Sequence, residues 1–327
     1  MKRSAICLVL LLLLGLFLCA GGAAESGKKI FQYRFAGAAE GAEILLANRD
    51  YYENMTQNDL NYRMQKTGAT LAELEAFIPG QVLDFTDAEI AAIDAAMAEM
   101  EAVCTGRGYR LPATDSIVFI KTTMAEECGA GAYTHGTEIY LGESVLSYAS
   151  REDSDAVRFF KQVLAHELFH CLTRKHPDFR AAMYGILGFT VVEKDFAFPP
   201  EIRNLIISNP DVEHHNSYAA FEIKGEMKNC TVIFTTEPFR KPGDMFFDHM
   251  VTGLVPIDDL GTLYTKEDAA NFWDVFGRNT NYVIDPEETL ADNFRMTIFD
   301  GPGSMEFQSP EIIEAIDRLL KDWKPEQ

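Results

Sequence analysis

Between residues 155 and 175 apolar side chains return every three or four positions. Val157, Phe160, Leu164, Leu168 and Cys171 fall on one face of a helix. A neighbouring stripe begins with Phe159 and Val163 and turns polar at His166 and His170, which their four-residue step stacks one above the other. The same periodicity marks Ile90, Ile93, Met97, Met100 and Val103. Thr86 with Glu89 supplies a capping box for that helix, from Asp87 to Cys104. Shorter helical stretches precede it, so residues 25–110 read as a mostly helical region. After Pro112 the pattern changes. Ser116–Thr123 is a β-branched run suited to a buried strand, and Thr137–Leu141 is a second strand following a tight turn at His135-Gly136. Residues 178–189 read as helix, 194–218 as a proline-rich loop, and 219–225 with 229–236 as a hairpin. Thr265–Gly277 has the form of a capped helix ending at its glycine. Asp285-Pro286 opens another helix that runs through Phe294.

The first 24 residues follow a different pattern. Lys2 and Arg3 precede an apolar run from Ile6 to Leu18, and small residues follow from Cys19 to Ala24. This is the layout of an export signal, with an apolar run too short for a comfortable membrane span. Two processing routes fit: cleavage near Ala20–Ala24, or lipidation of Cys19, although Leu18 stands where lipoprotein signals want a small residue. Either route takes the mature chain out of the cytoplasm, secreted or held at the cell surface. Removing residues 1–24 takes two cations from 29, leaving 27 Lys+Arg against 50 Asp+Glu, a net charge of −23. That balance argues against nucleic acid or an anionic membrane surface as partner, so membrane contact is expected only through a lipid on Cys19. The remaining cysteines, Cys104, Cys128, Cys171 and Cys230, match no zinc-knuckle spacing. Cys171 is expected as a buried thiol. A Cys104–Cys128 disulfide is compatible with export but not demanded. The mature length suits one large two-lobed domain or two small ones.

The polar stripe carries the candidate chemistry. His166-Glu167-Leu168-Phe169-His170 is an HExxH motif. Two imidazoles one turn apart can supply two of the three protein ligands of a catalytic zinc ion. Glu167 lies between the histidine stripe and the apolar face, where its carboxylate can act as general base on a water without binding the metal itself.

Two residues compete as third ligand. Glu288, in Ile284-DPEETLADN-Phe294, lies one turn before Asp292 on the same helical face. With HExxH, this Glu-x-x-x-Asp pair resembles the gluzincins, the thermolysin-like zinc peptidases. The resemblance covers only the two helical motifs, and the stretch between them, 171–287, is longer than in thermolysin. It implies Glu288 as ligand and Asp292 as the partner that orients His166 or His170. Glu287 is an alternative ligand, with Glu288 then serving as a helix-capping residue. The second candidate is His176, six residues after His170, which matches the outer spacing of the metzincin motif HExxHxxGxxH. Thr173 stands where that motif has its glycine, so the helix should continue and carry His176 away.

The resemblance further implies an α+β, zincin-like fold with one zinc ion per chain. The expected plan is a helical N-terminal extension (25–110), an upper lobe of small mixed sheet plus metal helix (111–176), and a mainly helical lower lobe (177–327). In that family a strand such as Thr137–Leu141 borders the cleft and pairs with substrate backbone. The implied activity is hydrolysis of a peptide or protein substrate by zinc-activated water, with Glu167 as base. His214, His215, Tyr218 and Tyr282 are candidates to support the oxyanion. The same ligands would serve a zinc hydrolase of a non-peptide amide or ester. An exported binding or surface protein could also retain the metal without turnover, although intact Glu167 argues against that reading.

Overall fold

The computed structural model describes residues 30–303 and 306–324, so the export signal and Cys19 lie outside the described residues. The chain is a mixed α+β protein built on two small sheets. The first contains β1 (Phe31–Phe35), β2 (Val82–Leu83), β3 (Thr114–Thr122), β4 (Ala132–His135) and β5 (Glu138–Gly142). Its order is β1-β3-β5-β4, with β2 also paired to β3. β1 and β5 run parallel to β3, while β4 returns antiparallel to β5 and forms the edge. The second sheet is an antiparallel meander of β6 (Thr190–Val191), β7 (Ser217–Ile223), β8 (Glu226–Thr235), β9 (Val251–Pro256) and β10 (Tyr264–Thr265).

The expected hairpin is β7–β8. Its two-residue turn, Lys224-Gly225, has φ of 53° and 83°, the doubly positive geometry that matches the twist of paired strands. The helix after Thr86 runs from Asp87 to Arg107, with the capping box formed and Ile93, Met97, Met100 and Cys104 buried. The HExxH helix spans Ser154–Lys175, with Asp153 as its cap. Phe160, Leu164, Leu168, Phe169 and Leu172 are almost wholly buried, each worth roughly 1.5–3 kcal/mol relative to exposure. They join a continuous core with Phe119 of β3, Phe294, and Ile316 of the helix Pro310–Asp322.

The structure departs from the expected plan in several places. Residues 30–110 are mostly helical, as expected, but they are not a separate extension, because β1 is laddered to β3 and Phe31 lies in the main core. Residues 177–327 are not mainly helical, because they carry the whole second sheet. β5 is an internal strand flanked by β3 and β4, so it cannot pair with a substrate backbone, and β4 is the edge strand on that side. Thr265–Gly277 is not one helix. A 3-10 turn at Lys266–Asp268 gives way to extended Ala269, which bridges Ile223, and only Phe272–Phe276 is helical. Docking onto β7 there, with Ala270 N donating to Glu222 O at 2.8 Å, outcompetes helix continuation. Cys104 and Cys128 are unbridged and belong to separate core clusters.

Candidate metal centre

The helix Pro286–Phe299 packs along the HExxH helix and brings its acids onto the histidine stripe. Its cap is Asp285, whose carboxylate accepts from Glu287 N at 2.8 Å, so Glu288 is released from capping. Glu288 is fully buried. Its Oε2 lies 3.0 Å from His166 Nε2 and 3.7 Å from His170 Nε2. Ligand atoms about 2.0–2.1 Å from a tetrahedral zinc lie about 3.3 Å from one another, a value these two separations bracket. The ligand atoms of His166, His170 and Glu288 all fall within 4.8 Å of one another.

Each imidazole is gripped on its other nitrogen by a different carboxylate. His166 Nδ1 pairs with Asp292 Oδ1 at 3.2 Å, and His170 Nδ1 with Glu287 Oε1 at 3.0 Å. Both Nε2 atoms are thereby aimed at the same place. Glu287 is the orienting residue of His170 rather than a ligand candidate. It also accepts from Thr173 Oγ1 at 2.5 Å and from Tyr184 Oη at 2.8 Å. Thr173, where a glycine would have ended the helix, instead reaches the centre one turn beyond His170. Asp292 accepts further from Arg295 Nε at 2.7 Å and Thr280 Oγ1 at 2.5 Å.

Burial alone would raise the carboxyl groups of Glu287, Glu288 and Asp292. Hydrogen bonds from the imidazoles and their positive fields outweigh it and hold all three below the usual carboxylate range. The same contacts overcome the burial of His166 and raise it well above an ordinary imidazole. The cluster therefore calls for positive charge. His170 Nε2 is buried and has no hydrogen-bond partner. An orphaned imidazole nitrogen facing two ligand atoms from fixed side chains is what a metal ligand requires, so the residues fit a zinc ion.

Glu167 stands beside the trio without joining it. It is almost fully buried, and its Oε2 accepts from Thr134 Oγ1 of β4 at 2.8 Å. Burial pushes its carboxyl above the ordinary glutamate value, the direction that suits a base working near neutrality.

Of the remaining candidates, Tyr282 is at the centre, donating from Oη to Glu288 Oε1 at 3.2 Å. His176 is not: it ends the HExxH helix, and its Nε2 lies 3.0 Å from Ala113 O. Tyr218 sits in β7 opposite Thr190. His215 lines a cavity of about 830 Å³ that none of the trio lines and that meets the centre only through Asn209, and burial lowers its pKa to about 4. His214 is exposed and paired with Asp195 at 3.0 Å. His135 is a buried strand residue packed among the rings of Tyr51, Tyr133 and Tyr140, not a turn residue.

Asn209 and Asp211 also carried no sequence signal. Asn209 donates from Nδ2 to Glu288 Oε1 at 2.6 Å, and Asp211 Oδ1 lies 3.9 Å from His170 Nε2. Both lie in the irregular loop before β7, where no periodicity reports on spatial neighbours. A scan against family models finds no match, and searches of curated proteins and of solved structures find none either.

Proposed function

We propose that the chain is an exported zinc-dependent peptidase of gluzincin-like plan, with the HExxH helix lying between the mixed sheet and the helix Pro286–Phe299. The observation that carries this reading is the buried, unpartnered Nε2 of His170, a ring whose Nδ1 is held by Glu287, facing the ligand atoms of His166 and Glu288. His166, His170 and Glu288 would hold one zinc ion, which when bound supplies a Lewis acid for the scissile carbonyl and lowers the pKa of water. Glu167 takes a proton from the attacking water at one carboxylate oxygen and passes it to the leaving nitrogen. Thr134 Oγ1 fixes the rotamer in which it does so. Tyr282 Oη, raised in pKa by burial and by the Glu288 charge, keeps its proton. It can therefore donate to an oxyanion if its bond to Glu288 is exchanged.

Elemental analysis of the mature protein tests the reading, with about one zinc per chain expected. Glu288→Ala should lose the metal and His176→Ala should keep it. Glu167→Gln should retain full zinc yet lose about 10²–10⁴-fold in peptide hydrolysis, the usual contribution of a positioned base. Wild-type protein without zinc, or Glu167→Gln hydrolysing as fast as wild type, would end this proposal.

A further inference from the structure

The metal trio is almost sealed, and one segment accounts for much of the seal. Residues Ser208–Glu213 run across the edge strand β4 with no strand pairing of their own. In the β4–β5 ladder Gly142 N donates to Gly131 O, so by alternation the amide of Thr134 faces away from β5, while Gly136, with φ of 55°, opens the turn that follows β4. Both amides are taken. Thr134 N donates to Asp211 Oδ1 at 2.7 Å and Gly136 N to Glu213 Oε1 at 2.7 Å. Asp211 thus sits where a substrate strand pairing with β4 would offer a main-chain carbonyl, and Glu213 holds the turn beside it.

The segment is hooked at both ends. Ser208 N donates to Asp59 Oδ1 at 2.7 Å, and Ser208 O accepts from Arg63 Nη2 at 2.8 Å. Arg174 holds Pro210 O at 2.9 Å and Glu213 at 3.0 Å. The segment also divides the space around the centre. Ser208 and Asn209 line both the cavity of about 830 Å³ and one of about 50 Å³. Val212 and Glu213 line the large cavity and a third of about 490 Å³.

We propose that Ser208–Glu213 is an inhibitory strap, which occupies the β4 edge in the resting protein and must leave it before an extended peptide can pair there. The proposal rests on the peptidase reading above. Asp211 competes with a substrate carbonyl for the Thr134 amide while Glu213 anchors the segment to the turn, and displacement of the strap joins the cavities it now divides.

The test compares the full mature chain with its Asp211→Ala/Glu213→Ala variant. Amide hydrogen exchange at Thr134 and Gly136 should quicken at least tenfold in the variant. Transfer of zinc to excess 4-(2-pyridylazo)resorcinol should quicken by a similar factor, and hydrolysis of fluorescein-labelled casein should rise. Unchanged amide exchange in a folded variant would overturn the strap. Zinc release and hydrolysis no faster than wild type would overturn its inhibitory role while leaving the zinc site intact. A wild type without zinc would sink the peptidase reading, and the two amides would still report whether the strap covers β4. Should circular dichroism show the double variant unfolded, Glu213→Ala alone is read at Gly136, where unchanged exchange counts against the proposal.

Discussion

Glu287 and Asp292 stand five positions apart on one helix, yet each holds the Nδ1 of a different histidine. Removing either should leave the three proposed ligands in place and loosen their aim. Glu287→Gln is expected to weaken zinc binding about 10–100-fold, the usual effect of losing an orienting carboxylate. Competition titration against a chromogenic chelator measures it, and unchanged affinity would deny Glu287 that part. Buried imidazoles away from the trio set the acid limit. His135 is held well below the ordinary imidazole value, by burial first and then by the fields of Arg174 and Arg63, and His215 is held at about 4 by burial. Their folded pKa values lie below the unfolded value of about 6.5. The unfolded chain therefore binds more protons, and stability is lost as pH falls below about 6.5, by up to about 1.4 kcal/mol per unit for each histidine. His135→Phe should flatten that decline, seen as a smaller difference in urea midpoint between pH 7 and pH 5. An equally steep decline would show that His135 takes up its proton without unfolding.

At the scale of elements, the helices were legible wherever a strong period met a chemical boundary signal. Thr86 with Glu89, and Asp285 with Pro286, are local stops that need no tertiary help. The same local logic failed at Thr265–Gly277, where the capping box at Thr265 and Asp268 forms but a strand edge captures Ala269. It failed for β1 as well, because Phe31–Phe35 becomes a strand only by pairing with a partner more than eighty residues away. His166 and His170 are legible from their four-residue step, whereas Glu288 is singled out only through the resemblance to the gluzincins. Thr134, Asn209 and Asp211 were not legible, since their places depend on how an edge strand and an irregular loop meet the helix. One element has an outsized mechanical part. In the helix Gln57–Met64, Arg63 is completely buried against Asp59 at 3.1 Å and Glu127 at 2.5 Å. Arg63→Leu leaves two buried carboxylates without their cation and should cost about 3–5 kcal/mol in urea unfolding. A loss below about 1 kcal/mol would mean that water or a counter-ion enters the gap.

For the whole molecule, the acidic balance bears on solubility and encounter rather than on fold. The charge of −23 for residues 25–327, from 27 Lys+Arg and 50 Asp+Glu, repels anionic surfaces, and its reach shrinks to about 8 Å at physiological salt. The segment 30–110 belongs to the same body, since β1 completes the first sheet and Asp59 and Arg63 clasp Ser208. A chain beginning after residue 110 should accordingly be recovered insoluble or unfolded by circular dichroism. A folded product would show that the sheet can stand without β1.

The clasp at Ser208 also bears on the order of assembly. His166 and Glu288 are 122 positions apart, and Arg63 reaches Ser208 across 145. Loops of that length close late, after local helices and hairpins have formed. The proposed zinc site therefore comes together only near the end of folding, too late for the metal to template the early steps. Zinc should leave the refolding rate almost unchanged and slow unfolding, because it stabilises contacts that the transition state lacks. Stopped-flow refolding and unfolding with and without zinc would show this as one limb of the denaturant plot shifting while the other stays in place.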